Sequence, residues 1–173
     1  MVEGQGRAFG VDEFRKSIER LAAQRNRGCP REESRDDEGG DRSPTKRAID
    51  ELFGLGERGV ELYNGAVGSE ELYILKTPCR LLSSFFGFSG YPYGFAIFGD
   101  LRYVLFMGAP SVDVVVVGRD AVRREGVSLT ALRQLISLTV EESLGALRYK
   151  DSTGALVSPS EIMVLTIGWV TGG

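Results

Sequence analysis

The sequence predicts an α+β domain in which a four-stranded antiparallel sheet is flanked by N-terminal and C-terminal helices. Three observations carry that expectation. Four strand-like segments lie between Leu72 and Val117 with no helical segment among them, which favours antiparallel pairing. Segments with a helical apolar period stand on either side. At 173 residues, 42% apolar and 26% charged, the chain is long enough for one domain with a proper core and too short for two.

Taken in order, residues 1–25 contain a first helix from Val11 to Arg25, with Phe14, Ile18, Leu21 and Ala22 at helical spacing. Residues 26–43 lose every large apolar side chain and alternate Arg with Asp and Glu. Such a stretch cannot bury enough surface to offset its ordering entropy, so a disordered charged linker is expected there. The α+β domain then spans residues 44–173. Ser43 and Pro44 stand in the N-cap and first-turn arrangement. They open a helix to about Phe53 that buries Ala48, Ile49, Leu52 and Phe53. Gly54-Leu55-Gly56-Glu57-Arg58-Gly59 follows, a literal G-x-G-x-x-G. A dinucleotide fingerprint must follow a strand and open a helix. Coming after a helix, this one reads as a break between two helical pieces, the second running through Val60 to Tyr63.

Leu72 to Leu75 make a first strand, stopped near Pro78. Phe95 to Phe98 and Leu101 to Met107 flank Gly99-Asp100, a pair suited to a tight hairpin. Val112 to Val117, nearly continuous in β-branched residues, is expected at the centre of the sheet. From Ser128 to Tyr149 the helical period returns: Leu129, Leu132, Ile136, Val140, Leu144 and Leu147 form one stripe, expected to cover the sheet. Ser158-Pro159-Ser160-Glu161 is a capping box with proline at the first helical position. It opens IMVLTIGWV, whose β-branched content argues for a strand while the cap argues for a helix; the helix is favoured. Being apolar on nearly every side, this segment should be buried, and a homodimer through it is expected.

Composition narrows the chemistry. The chain has no histidine, so the usual general base near neutral pH and the commonest metal ligand are both missing. Cys29 and Cys79 stand 50 residues apart without partner ligands at metal spacing and read as reduced thiols. No cofactor and no metal are implied. Ser89 lies in Gly87-Phe88-Ser89-Gly90 and misses the nucleophile elbow because position 91 is Tyr. The adjacent pairs Glu70-Glu71 and Glu141-Glu142 read as solvated carboxylates. A non-enzyme is expected. No apolar run reaches the roughly 18–20 residues of a membrane span, and MVEGQGRAFG lacks the apolar core of a secretory signal. The expected location is cytoplasmic. Amides are limited to Asn26, Asn64, Gln5, Gln24 and Gln134 amid abundant charge, which suggests a thermophilic source.

Nine of the sixteen aromatics fall between Phe85 and Phe106. Phe85, Phe86, Phe88, Tyr91 and Tyr93 occupy a stretch broken by Gly87, Gly90, Pro92 and Gly94, which reads as a loop displaying flat side chains. Bases stack on such rings for roughly 1–3 kcal/mol each while Lys and Arg meet phosphates. The nearest cations are Lys76, Arg80 and Arg102. Strand alternation puts Arg102 on one face with Val104 and Phe106, and Lys76 with Leu72 and Ile74. The reading is sequence-independent binding of single-stranded nucleic acid, DNA or RNA. Against it stand a net charge of −3 in a class that is usually basic, and the plainer alternatives of core aromatics and solvated cations. A different class of function is also open: a protein–protein interaction or oligomerisation module, in which the aromatic loop and the apolar C-terminus form an interface.

A helical N-terminus, an antiparallel sheet with aromatics, covering helices, a thermophilic composition and dimerisation together resemble the ThermoDBP-type single-stranded DNA-binding proteins of hyperthermophilic archaea. The likeness is one of overall organisation over residues 44–173. It implies a cleft that holds single strands without sequence preference.

Overall fold

The structure is a computed structural model that describes residues 43–77, 93–108, 111–122 and 132–172. The expected helix at Val11 to Arg25, and the linker up to residue 42, lie outside those residues. The first described element is a helix, α1 (Pro44–Val67). Ser43 Oγ accepts the Lys46 N–H at 3.2 Å, satisfying one of the donors that a helix start leaves orphaned. Ala48, Ile49, Leu52, Gly56 and Val60 form its buried stripe at the helical period. Gly68, in the left-handed conformation at φ 74°, ends it and donates to Asn64 O at 2.9 Å.

The expected break at the glycine motif is absent: Gly54, Gly56 and Gly59 lie inside one continuous helix. Two of these glycines are sites of close approach. A Cβ on Gly56 would stand 2.8 Å from Ile74 Cδ1, and one on Gly59 would stand 2.5 Å from Ile167 Cδ1. The motif is helix packing, not a phosphate cradle.

Seven strands follow in chain order: β1 (Tyr73–Lys76), β2 (Tyr93–Phe98), β3 (Arg102–Gly108), β4 (Val112–Gly118), β5 (Arg133–Ser143), β6 (Ala146–Lys150) and β7 (Leu156–Val157). They form one antiparallel meander in which sequence neighbours pair throughout. The sheet is therefore antiparallel as expected but has seven strands, not four. Val112–Gly118 is its central strand. The first hairpin turns one residue later than expected. Gly99 N–H donates to Arg102 O at 2.9 Å, which leaves Asp100 and Leu101 at the turn's centre.

The largest departure is Ser128 to Tyr149. The expected covering helix is instead β5 and β6, a hairpin at the sheet's far end. Ile136, Val140 and Leu144 recur every four residues, and four is a multiple of both the strand period and nearly one helical turn. Leu138, fully buried, belongs to the period-two series with Ile136 and Val140 and resolves the ambiguity towards strand. Leu144 and Gly145 take φ 54° and 78°, both left-handed as a two-residue hairpin turn demands.

The chain closes with α2 (Pro159–Val170), as its capping box predicts: Glu161 Oε2 accepts the Ser158 N–H at 3.2 Å. Both helices pack on one face of the sheet. There Phe95 and Phe106 stack at 4.3 Å under Phe53, and Val104, Val114, Leu138 and Tyr149 complete the core. The opposite face carries a second buried cluster of Ala96, Phe98, Tyr103, Leu105, Met107, Val115 and Val117. Within the single chain α2 is buried on one face only: Val164 is 73% exposed and Leu165 53%, which leaves the expected burial between two copies as a proposal. Among the described residues no helix is long and apolar enough to cross a membrane.

Leu144 is a side chain held where glycine or asparagine is at ease, and it packs on nothing. We expect Leu144→Asn to stabilise the fold by about 1 kcal/mol, because relief of left-handed strain is worth roughly that much. Urea denaturation would show it as a higher midpoint at unchanged slope.

Candidate functional site

The eight residues expected to meet nucleic acid divide into two groups. Arg80, Phe85, Phe86, Phe88 and Tyr91 lie outside the described residues. Lys76, Tyr93 and Arg102 are described, and strand register puts all three on the helix-covered face, in line with Phe95 and Phe106. Lys76 sits at the end of β1, with Nζ 2.5 Å from Asp50 Oδ1 and 4.9 Å from the Phe53 ring centroid. Tyr93 opens β2 opposite Gly108 and packs against the core. Arg102 opens β3. Its guanidinium donates to Trp169 O at 2.9 Å and lies 4.9 Å from the Trp169 ring centroid. Lys76 is level with Phe106 across the sheet, and Arg102 lies four residues from Phe106, roughly 13 Å along the strand. The two cations thus serve opposite ends of the helix layer and form no common track.

The structure presents a different concavity, at the end of the sheet where both helices stop. It is a cleft of about 950 Å³, lined by Tyr63 of α1, the segment from Glu70 to Leu75, the turn from Phe98 to Tyr103, and Val170 to Gly172. Local chemistry builds each wall. The Asn64 side chain accepts the N–H groups of Glu71 and Leu72, both at 3.0 Å, and donates to Leu72 O at 2.9 Å. This clamp starts β1 directly after the helix and sets Glu70 and Glu71 at the mouth. Gly99 lets the β2–β3 turn approach the end of α2: a Cβ there would meet Val170 O at 2.9 Å. Arg119 N–H donates to Leu101 O at 2.9 Å, and its guanidinium pairs with Asp100 at 3.1 Å, which holds the turn from the other side.

The described lining of the cleft is acidic in composition. It contains Glu70, Glu71 and Asp100 against one cation, Arg102, already committed to Trp169. Tyr63 donates to Glu71 Oε2 at 3.3 Å, and Tyr73 donates to Glu70 O at 3.1 Å. Burial, and then the Glu71 carboxylate, push the Tyr63 hydroxyl above the usual phenol range. Burial raises Tyr103 as well, with Arg119 opposing and Asp100 adding to the rise.

Reading the sequence for motifs misses this site, because it treats Glu70-Glu71 as solvated and leaves Tyr63 and Tyr73 in regular elements. One signal was available: neither helix carries a basic residue in its last turn. Among the described residues, no group of three or more His, Cys, Asp or Glu side chains could hold a metal ion. No family model, curated protein or solved structure matches the chain.

Arg102 closes α2 against the sheet through one carbonyl and one ring. Its replacement by Ala should cost about 1–2 kcal/mol, the sum of a helix-end cation and a partly desolvated cation–π contact. Trp169, the sole tryptophan, reports it directly: the variant should show an altered emission spectrum and a lower urea midpoint.

Proposed function

We propose that the protein is an interaction module that self-associates through the outer face of α2. The observation that carries this reading is the exposure of Val164 and Leu165 on a helix whose only charged residue is Glu161. The inner face of α2, with Ile162, Met163, Thr166 and Val170, is already committed to the core. An aqueous helix normally presents charge outward; this one presents branched apolar side chains. Two copies meeting face to face bring together apolar surface without juxtaposing like charges, and depletion of charge at the core of a patch is the compositional mark of an interface. Leu62 of α1 is exposed as well, at 66%, three residues beyond Gly59, the position where α1 lies against Ile167 of α2.

Sedimentation velocity on the full chain, from micromolar to submillimolar concentration, tests the reading. We expect a concentration-dependent dimer, weakened at least about tenfold by Val164→Lys combined with Leu165→Lys, since the centre of a patch carries most of its energy. A monomer across the whole range, or a dimer indifferent to the double variant, would remove it.

Sequence-independent binding of single strands is the second reading. What favours it is the density of aromatics and glycines between Phe85 and Gly94, together with the resemblance of organisation to the ThermoDBP-type proteins. Weighing against it, Lys76 and Arg102 are both engaged within the chain, and the covering helix included in that resemblance is a β-hairpin. Fluorescence anisotropy with labelled oligo-dT separates the two readings. Nucleic-acid binding predicts an affinity that falls steeply with salt, whereas the interaction module predicts no binding even at low salt.

A further inference from the structure

The cleft at the end of the sheet is where two helices end. α1 stops at Val67 and α2 at Val170, and residues of both helix ends or their exits line the cleft. The last carbonyls of a helix carry the equivalent of about half a negative charge, which chains commonly offset with Lys or Arg in the final turn. Here neither last turn has one. Carboxylates are added instead. Asp100 is held by Arg119, but Glu71 accepts the hydroxyls of Tyr63 and Ser69 and meets no cation among the described residues. The single positive side chain of the described lining, Arg102, points its guanidinium at the α2 end and the Trp169 ring.

Beside this negative field stand tyrosine rings and apolar walls. The Tyr63 hydroxyl is tied to the Glu71 carboxylate and the Tyr73 hydroxyl to the Glu70 backbone carbonyl, which fixes both half-buried rings against this segment. Ile74, Leu75 and the exposed Leu101 supply apolar surface. A volume of about 950 Å³ is of the size that encloses a small organic molecule.

We propose that this cleft binds a small organic cation with an apolar body, of the alkylammonium class. The charged head lies between Glu71 and the Tyr63 and Tyr73 rings, facing the two helix ends. The aliphatic body lies along Leu75 and Leu101. Aromatic rings attract such a head through their quadrupoles, and desolvation strengthens the attraction. An anion of the same shape meets the Glu71 carboxylate and the α1 end, and a neutral analogue gains only the apolar contact. The site is separate from the outer face of α2, so the proposal stands whether or not the chain dimerises.

The test is calorimetric titration of the full chain with hexyltrimethylammonium, hexanesulfonate and hexanol, accompanied by NMR chemical-shift mapping. We expect the ammonium ion to bind at least about tenfold more tightly than either analogue, with the largest shifts at Glu71, Tyr73 and Leu101. Glu71→Gln should weaken ammonium binding by roughly three- to tenfold and leave hexanol unchanged, while Glu57→Gln, an exposed carboxylate elsewhere on α1, should change neither. Tyr73→Leu should narrow the preference for the cation over the alcohol. Equal affinity for ammonium and alcohol, no ammonium binding, or full ammonium affinity in Glu71→Gln would overturn the proposal.

Discussion

The close seating of α1 on the sheet is the constraint on which the rest of the structure depends. Ala48, Ile49, Leu52 and Val60 bury one stripe against the strands, and Gly56 and Gly59 remove the side chains that would hold Ile74 and Ile167 away. Each fully buried aliphatic side chain contributes about 1.5–3 kcal/mol, so this stripe outweighs any of the polar contacts α1 makes. The polar contacts orient instead. Arg47 reaches Glu142 and Gly145 O at the far hairpin, Glu51 accepts the buried Tyr149 hydroxyl at 2.6 Å, and Asp50 meets Lys76. Burial, followed by that bond to Glu51, holds the Tyr149 phenol protonated far above its ordinary range, so the contact is a neutral donor to a carboxylate. Exposed ion pairs such as Asp50–Lys76 are worth little in stability, yet they set where along the helix each strand docks. One helix thereby touches the sheet at β1 and at β6, five strands apart, and determines where α2 can lie.

That arrangement also decides where a ligand could be held. β2, β3 and β4 are apolar on both faces, and both faces are buried: Phe95, Val104 and Phe106 under the helices, and Phe98, Tyr103, Leu105 and Val117 on the other side. An antiparallel strand covered on one side alone alternates apolar with polar; one covered on both reads as an unbroken apolar run. VDVVVV is such a run, and its single Asp113 is accounted for by hydrogen bonds from Ser137 and Gln134. With both faces filled, the cleft among the described residues lies at the end of the sheet, where Asn64 directs the chain from α1 into β1 and Gly99 admits the end of α2. Its character follows from the same geometry: the ends of α1 and α2 come together there beside Glu70, Glu71 and Asp100.

Much of the fold was legible because the information is local. Ser43-Pro44 and Ser158-Pro159-Ser160-Glu161 mark both helix starts through contacts spanning three residues, and both helices begin there. The valine run marks the central strand for the same reason: β-branched side chains suit a pleated, buried surface in any topology. What failed was periodicity at a spacing common to two structures. Ile136 and Val140, four residues apart, satisfy a strand and nearly satisfy a helix, and the strand wins through Leu138 on the same inward face and the left-handed pair Leu144-Gly145 at the turn. Gly145, two residues past Ser143 and shortly after the strand-like ISLTV, was the available clue. The glycine motif after Phe53 misled in the opposite direction. Two glycines in a helix cost helical propensity, but tertiary contacts with Ile74 and Ile167 reward the absence of Cβ, and packing overrides the local penalty.

The candidate site was far less legible, for a reason that is physical. Lys76 and Arg102 look like available cations because a sequence shows formal charge but not its partner; Asp50 is 26 residues from the first, and Trp169 is 67 from the second. Both cations are consumed by contacts that fasten helices to the sheet. The cleft residues are the reverse case. Glu71, Tyr63 and Tyr73 are unremarkable one by one, and they acquire meaning only when α1 and α2 stop at the same end of the sheet. The field there arises from backbone carbonyls, which every residue has and no motif records. Its one sequence correlate is negative, the missing Lys or Arg in LYNGAV and TIGWV, and an omission becomes informative only once the two helix ends are known to be neighbours.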